Sequence, residues 1–168
     1  MRQGSKMSRV KIAITGLGVF CGAGKDVAAF TTAVVDGKSG VGPVDLFDVS
    51  PFPAKIAVQV KQYDPLDYIP GRDVHRLSRA DQFGLIAAGE ALSGSGAAQA
   101  YSPYDLGVVV GAGATGMFQS EQWLKGTLTG MKPAAGLLRG ILPDRTSTVI
   151  AERYGLAGYQ GTVTTACS

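Results

Sequence analysis

The sequence predicts an α/β protein, a mixed sheet with helices packed on its faces. Short β-prone runs alternate with stretches of helical periodicity. Many of the 24 glycines directly follow apolar runs, as tight strand-to-helix turns require. The 168-residue length suits one core, and hydrophobic residues at 45% against charged residues at 17% make the chain apolar for a self-contained soluble domain.

Residues 1–8 read as a disordered leader, with Met7 a possible natural start, and residues 9–168 as one domain. A strand is expected at Val10–Thr15, running into Gly16-Leu17-Gly18. A helix over Asp26–Val35 follows, with Val27, Phe30 and Val34 on one face and Gly37 as its stop. The stretch Lys38–Ala54 reads as irregular, before a short strand at Lys55–Val60. Apolar spacing through Leu77, Phe83, Leu85, Ile86 and Leu92 predicts one helix over Asp73–Leu92, closed by Gly94 and Gly96. Leu106–Val110 reads as a fully buried strand. A helix at Met117–Thr127 and a Gly/Pro loop come next. Pro143 then opens a helix over Arg145–Tyr154 that Gly155 caps. The chain closes on a β-prone run, Thr162–Thr165, and on Ala166-Cys167-Ser168.

Several classes are disfavoured. The net charge of +3 comes without the dense basic stripe of a nucleic-acid binder. Cys21 and Cys167 are too far apart to outline a metal knuckle or a disulfide framework, which favours a reducing, cytoplasmic setting and no metal. The apolar run Ile12–Gly24 follows three basic residues, as in a signal peptide, but its glycines favour a strand. No run reaches the ~18 apolar residues of a membrane span.

Three local signals bear on chemistry. Gly111-Ala112-Gly113-Ala114-Thr115-Gly116 has the G-x-G-x-x-G spacing of a dinucleotide fingerprint. No acidic residue stands at the ribose-binding distance and no strand follows directly, so a turn allowing close backbone approach is the preferred reading. Arg72, His75, Arg76 and Arg79, spaced by three and four, are expected on one helix face, as a solvated surface or as a docking patch for an acidic partner. Cys167 stands at a strand exit among small residues, where a following helix N-terminus would favour thiolate. The residues alone leave nucleophile and buried filler equally open.

Together, five ordered segments resemble the elongating β-ketoacyl-(acyl carrier protein) synthases. They are Val10–Gly18; Gly37–Val41 with Phe47-Asp48 and Phe52–Ala57; Leu77–Phe83; Leu106–Gly113; and Thr164-Thr165-Ala166-Cys167-Ser168. The resemblance implies a thiolase-like layered fold built of two similar halves, each with a five-stranded sheet, of which this chain is the N-terminal half only. It implies a homodimer or heterodimer and an acyl carrier protein as partner. Cys167 would then be the catalytic nucleophile, with its own backbone N–H as one oxyanion donor. Gly113, Ala114 and Thr115 would border the acyl pocket, Ala114 being small where some relatives carry a larger gating residue. Arg72, His75 and Arg76 would dock the carrier. No cofactor is implied, because the phosphopantetheine arm belongs to the carrier protein.

Family members continue past the cysteine into a C-terminal half that supplies two histidines and a lysine. His75 matches the surface patch and cannot replace them. The expectation is therefore an incomplete half, inactive alone, with apolar strands uncovered. The alternative is a non-catalytic carrier-binding or split-enzyme partner subunit.

Overall fold

The computed structural model describes residues 11–113 and 115–165. In chain order these form α1 (Val27–Val35), β1 (Val41–Pro43), β2 (Ile56–Val58), α2 (Gly71–Val74), α3 (Arg79–Ser95), α4 (Ala97–Ala100), β3 (Val108–Gly111), α5 (Met117–Leu128), α6 (Gly136–Ile141), α7 (Arg145–Tyr154) and β4 (Gln160–Val163). The helices with strong local signals form as expected. Asp26 caps α1 by accepting from the Ala29 N–H, and Gly37, in the left-handed region, stops it. Gly155, at φ 65°, ends α7 in the same way.

The core lies where α3 and α7 cross beneath β3. Ile69, Leu85, Val108, Val149, Ile150, Ala151 and Leu156 are buried together there. A Cβ on Gly84 would come within 2.7 Å of Thr146 Cγ2, so this glycine sets how closely the two helices approach. The Tyr154 hydroxyl donates to the Leu85 carbonyl at 2.9 Å, closing the other end of the crossing.

Several expectations are corrected. Among the described residues there is no five-stranded sheet: β1 pairs antiparallel with β2, and β3 pairs parallel with β4, in two separate ladders. Lys11–Thr15 form no strand, since a β-prone segment needs a ladder neighbour and none reaches them. The segment instead crosses α3, where a Cβ on Gly16 or Gly18 would strike the Ala91 or Ala87 carbonyl. Ile12 and Ile14 are left 92% and 82% exposed. Val34, expected on the buried face of α1, points to solvent, and β3 is buried only at Val108, with Val109 65% exposed. The segment read as irregular contains β1, and the loop before Pro143 contains α6.

The helix expected over Asp73–Leu92 is broken. Ser78 accepts from the Asp81 N–H while Asp81 accepts from the Ser78 N–H, a capping box that starts α3 afresh and leaves α2 a single turn.

Candidate functional site

Two parallel strands bring Gly113 and Thr115 to the same edge as Thr164 and Thr165. Val108 pairs with Gln160 and Gly111 with Val163, and the Ala112 N–H donates to the Val163 carbonyl at 2.9 Å. Both strands therefore end together, and the turns after them leave the same carboxyl edge, the usual ligand-binding side of parallel strands. Gly113 and Thr115 follow β3, and Thr164 and Thr165 follow β4. Gly113 is exposed and Thr115 half-buried. Ala114 and Cys167 lie outside the described residues.

β4 is held from below. The hydroxyls of Ser147 on α7 and Thr162 on β4 are hydrogen-bonded at 2.9 Å. One step further in, the Thr146 hydroxyl donates to Asp81 Oδ1 at 2.7 Å, and Asp81 is only 1% exposed. A chain of polar contacts thus runs from the start of α3 through α7 to the strand that precedes Cys167.

The glycine motif is explained in part by close approach. Gly116 has φ 79°, and a Cβ there would collide with the Gly140 carbonyl, so this position joins α5 to α6. Gly111 and Gly113 have open space around them, which the close-approach reading does not explain.

The basic cluster is divided. Arg72 on α2, His75 at its C-cap and Arg76 just beyond are all exposed. The guanidinium of Arg72 stands 3.8 Å from Asp73, too long for a strong ion pair. Arg79 belongs to α3, because the capping box intervenes, and stays exposed while its guanidinium is held by neighbouring groups. It donates to the Val60 carbonyl at 2.8 Å and lies over the rings of Tyr63 and Phe83, 5.4 and 5.0 Å from their centroids. Burial pushes the Tyr63 hydroxyl up to about 12, an effect Arg79 partly opposes.

Sequence reasoning missed Glu90. Its two carboxylate oxygens accept from the Val19 and Val27 N–H groups at 2.9 and 2.8 Å, fixing the segment before α1 and the first turn of α1 onto α3. The available signal was a lone acid inside an otherwise apolar helical stretch.

Among the described residues no group of His, Cys, Asp or Glu is arranged to hold a metal ion, and no helix is long and apolar enough to cross a membrane.

Comparison with known proteins identifies the site's family. A family model described as the β-ketoacyl synthase N-terminal domain matches residues 9–168. The chain belongs to the β-ketoacyl synthase family. The chain is 31% identical over 166 residues to 3-oxoacyl-[acyl-carrier-protein] synthase 2 of Coxiella burnetii, covering 96% of this chain and 40% of that protein. Among solved structures, the ishigamide ketosynthase/chain length factor superposes with a TM-score of 0.72 at 31% identity, over 92% of this chain and 40% of that one. A type II polyketide ketosynthase, AntDE, in complex with its acyl-carrier protein AntF gives a TM-score of 0.63 at 19% identity, over 88% of this chain and 39% of that one, a likeness of fold. The architecture is thus that of the N-terminal part of the thiolase-like layered fold. The chain spans about 40% of the length of the relative and the structures it matches here.

Proposed function

We propose that this β-ketoacyl synthase chain carries the nucleophile and the carrier-docking patch of a β-ketoacyl-(acyl carrier protein) synthase of fatty-acid or polyketide biosynthesis. The observation that carries the reading is the parallel register of β3 and β4, from whose shared edge Gly113 and Thr164-Thr165 follow.

In the first half-reaction the Cys167 thiolate attacks the carbonyl carbon of a carrier-bound acyl thioester. The tetrahedral oxyanion collapses by expelling the phosphopantetheine thiolate, which takes up a proton, and the acyl group remains on Cys167. Backbone N–H groups at the strand exit, that of Cys167 among them, are suited to hold the oxyanion. In the second half-reaction a malonyl carrier loses carbon dioxide. The carbanion forms a carbon–carbon bond to the acyl carbonyl, and Cys167 leaves as thiolate. Two histidines and a lysine from a C-terminal part would assist that step. The chemistry needs no redox cofactor, and a free thiol at Cys21 fits a reducing, cytoplasmic setting.

Arg72, His75 and Arg76 suit the acidic carrier because all three are exposed on one turn and its exit. Charges so placed act on encounter and register, and salt weakens them. The exposed Ile12, Ile14 and Val109 support a homodimeric or heterodimeric assembly in which further structure covers them. The likeness to the ishigamide ketosynthase/chain length factor favours a second reading, a non-catalytic partner subunit that keeps the patch without the chemistry.

Acylation of the full gene product by an acyl-carrier thioester, followed by intact-mass spectrometry, separates the two. The synthase reading expects one acyl adduct that disappears in Cys167→Ala and a thiol that iodoacetamide labels. The double change Arg72→Glu, Arg76→Glu should slow transfer from the carrier about tenfold at low salt and leave transfer from a carrier-free thioester unchanged. Carrier binding without adduct or labelling would instead establish the partner subunit.

A further inference from the structure

β4 is a weak strand by its own sequence. Gly161 stands in its middle, and among the described residues it is paired along one edge only, with β3. A ladder on one edge fixes the register of a strand but lets it roll about that edge. Its direction past Val163 therefore needs a second hold that lies off the ladder.

α7 supplies that hold through Ser147, which is 1% exposed. The Ser147 hydroxyl donates to the Asp144 carbonyl at 2.9 Å. A hydroxyl has one proton, so in the 2.9 Å contact between Ser147 Oγ and Thr162 Oγ1 the donor is Thr162. The contacts thus run in one direction, from β4 through Ser147 to the residue before α7. The neighbouring Thr146 hydroxyl donates to buried Asp81 at 2.7 Å, which ties the same turn of α7 to α3. Packing alone does not call for hydroxyls at 147 and 162. An alanine and a valine would fill the two positions with nearly the same shape and leave no polar group to satisfy.

We propose that Ser147 and Thr162 are positioning residues for acyl transfer: their hydrogen bond holds the roll of β4 and so the direction in which the strand leads to Cys167, five residues on. The inference rests on Cys167 being the acylated nucleophile. Both residues act through the strand.

In the full gene product, Ser147→Ala combined with Thr162→Val removes both hydroxyls and strands neither, and the Asp144 carbonyl keeps the Thr148 N–H. The urea midpoint of this double variant should stay close to that of the unaltered protein. Acylation of Cys167 by an acyl-carrier thioester should nonetheless fall about tenfold in kcat, with KM for the carrier unchanged, because the nucleophile is misdirected and carrier binding is not. Thr162→Val alone should be as slow as the pair, since either change breaks the one bond, and Thr162→Ser, which keeps the hydroxyl, should recover most of the rate. An unchanged kcat in the double variant, a Thr162→Ser variant as slow as Thr162→Val, or a rate that falls only in step with the urea midpoint overturns the proposal. Iodoacetamide labelling of Cys167, timed against Cys21 in the same molecule, separates this inference from the acyl-transfer reading. If the unaltered protein forms no acyl adduct, that reading fails, and slower Cys167 labelling in the double variant still supports the positioning role. Labelling that is absent, or unchanged between the two proteins, overturns it.

Discussion

Asp81 shows how much one buried carboxylate can organise. It closes the capping box with Ser78 through backbone and side chain, and its other oxygen accepts from the Thr146 hydroxyl. Asp81→Ala would remove the reciprocal cap and leave a buried hydroxyl and a buried N–H without acceptors. We expect a loss of about 2–4 kcal/mol, checked by urea unfolding. Tyr63 gives a prediction in pH. Its hydroxyl donates to Gln82 Oε1 at 2.9 Å, and burial raises its pKa from 10 to about 12. Below pH 10 the phenol is neutral in both folded and unfolded chains. Above it the unfolded chain ionises first, so stability falls as pH rises between about 10 and 12. The urea midpoint of Tyr63→Phe should decline less steeply than that of the unaltered protein across that window. Neither the Asp81–Thr146 bond nor the Tyr63 shift was visible beforehand, because burial and a partner many positions away decide both.

The helices whose boundaries rest on neighbours in sequence could be read directly: Asp26 and Gly37 delimit α1, and Gly155 ends α7. The break between α2 and α3 was equally local. Ser78-Arg79-Ala80-Asp81 fails to register only because apolar spacing from Leu77 onward runs across it. That break divides the basic cluster, because it leaves Arg72, His75 and Arg76 exposed around α2 and sends Arg79 to Val60 and the aromatic rings. Glu90 was beyond local reading, since its partners lie 71 and 63 positions away. Glu90→Gln keeps the shape but can offer only one carbonyl oxygen to two N–H groups. Hydrogen exchange at Val27 and through the first turn of α1 should accelerate about tenfold, with α7 unaffected.

Over the whole molecule, family and fold class were legible because ordered motifs extend from Val10 to Ser168, and the family model matches nearly the same span. Sheet composition was not. Propensity marks Lys11–Thr15 as a strand, but pairing is a property of what lies alongside, and among the described residues only β3 and β4 find each other near the core. Of the candidate site residues, Arg72, His75 and Arg76 are exposed and Gly113 and Thr115 follow β3, while Cys167 and Ala114 fall outside the described residues.

That parallel pairing also bears on how the chain reaches its native form. About fifty positions separate Val108 from Gln160, and α5, α6 and α7 fill the interval. Closing so large a loop costs entropy before the ladder returns anything, so these strands should zip late, after the helices between them have condensed. The edge that would present the acyl group is then among the last features to assemble during synthesis and the first to be lost when the protein is stressed.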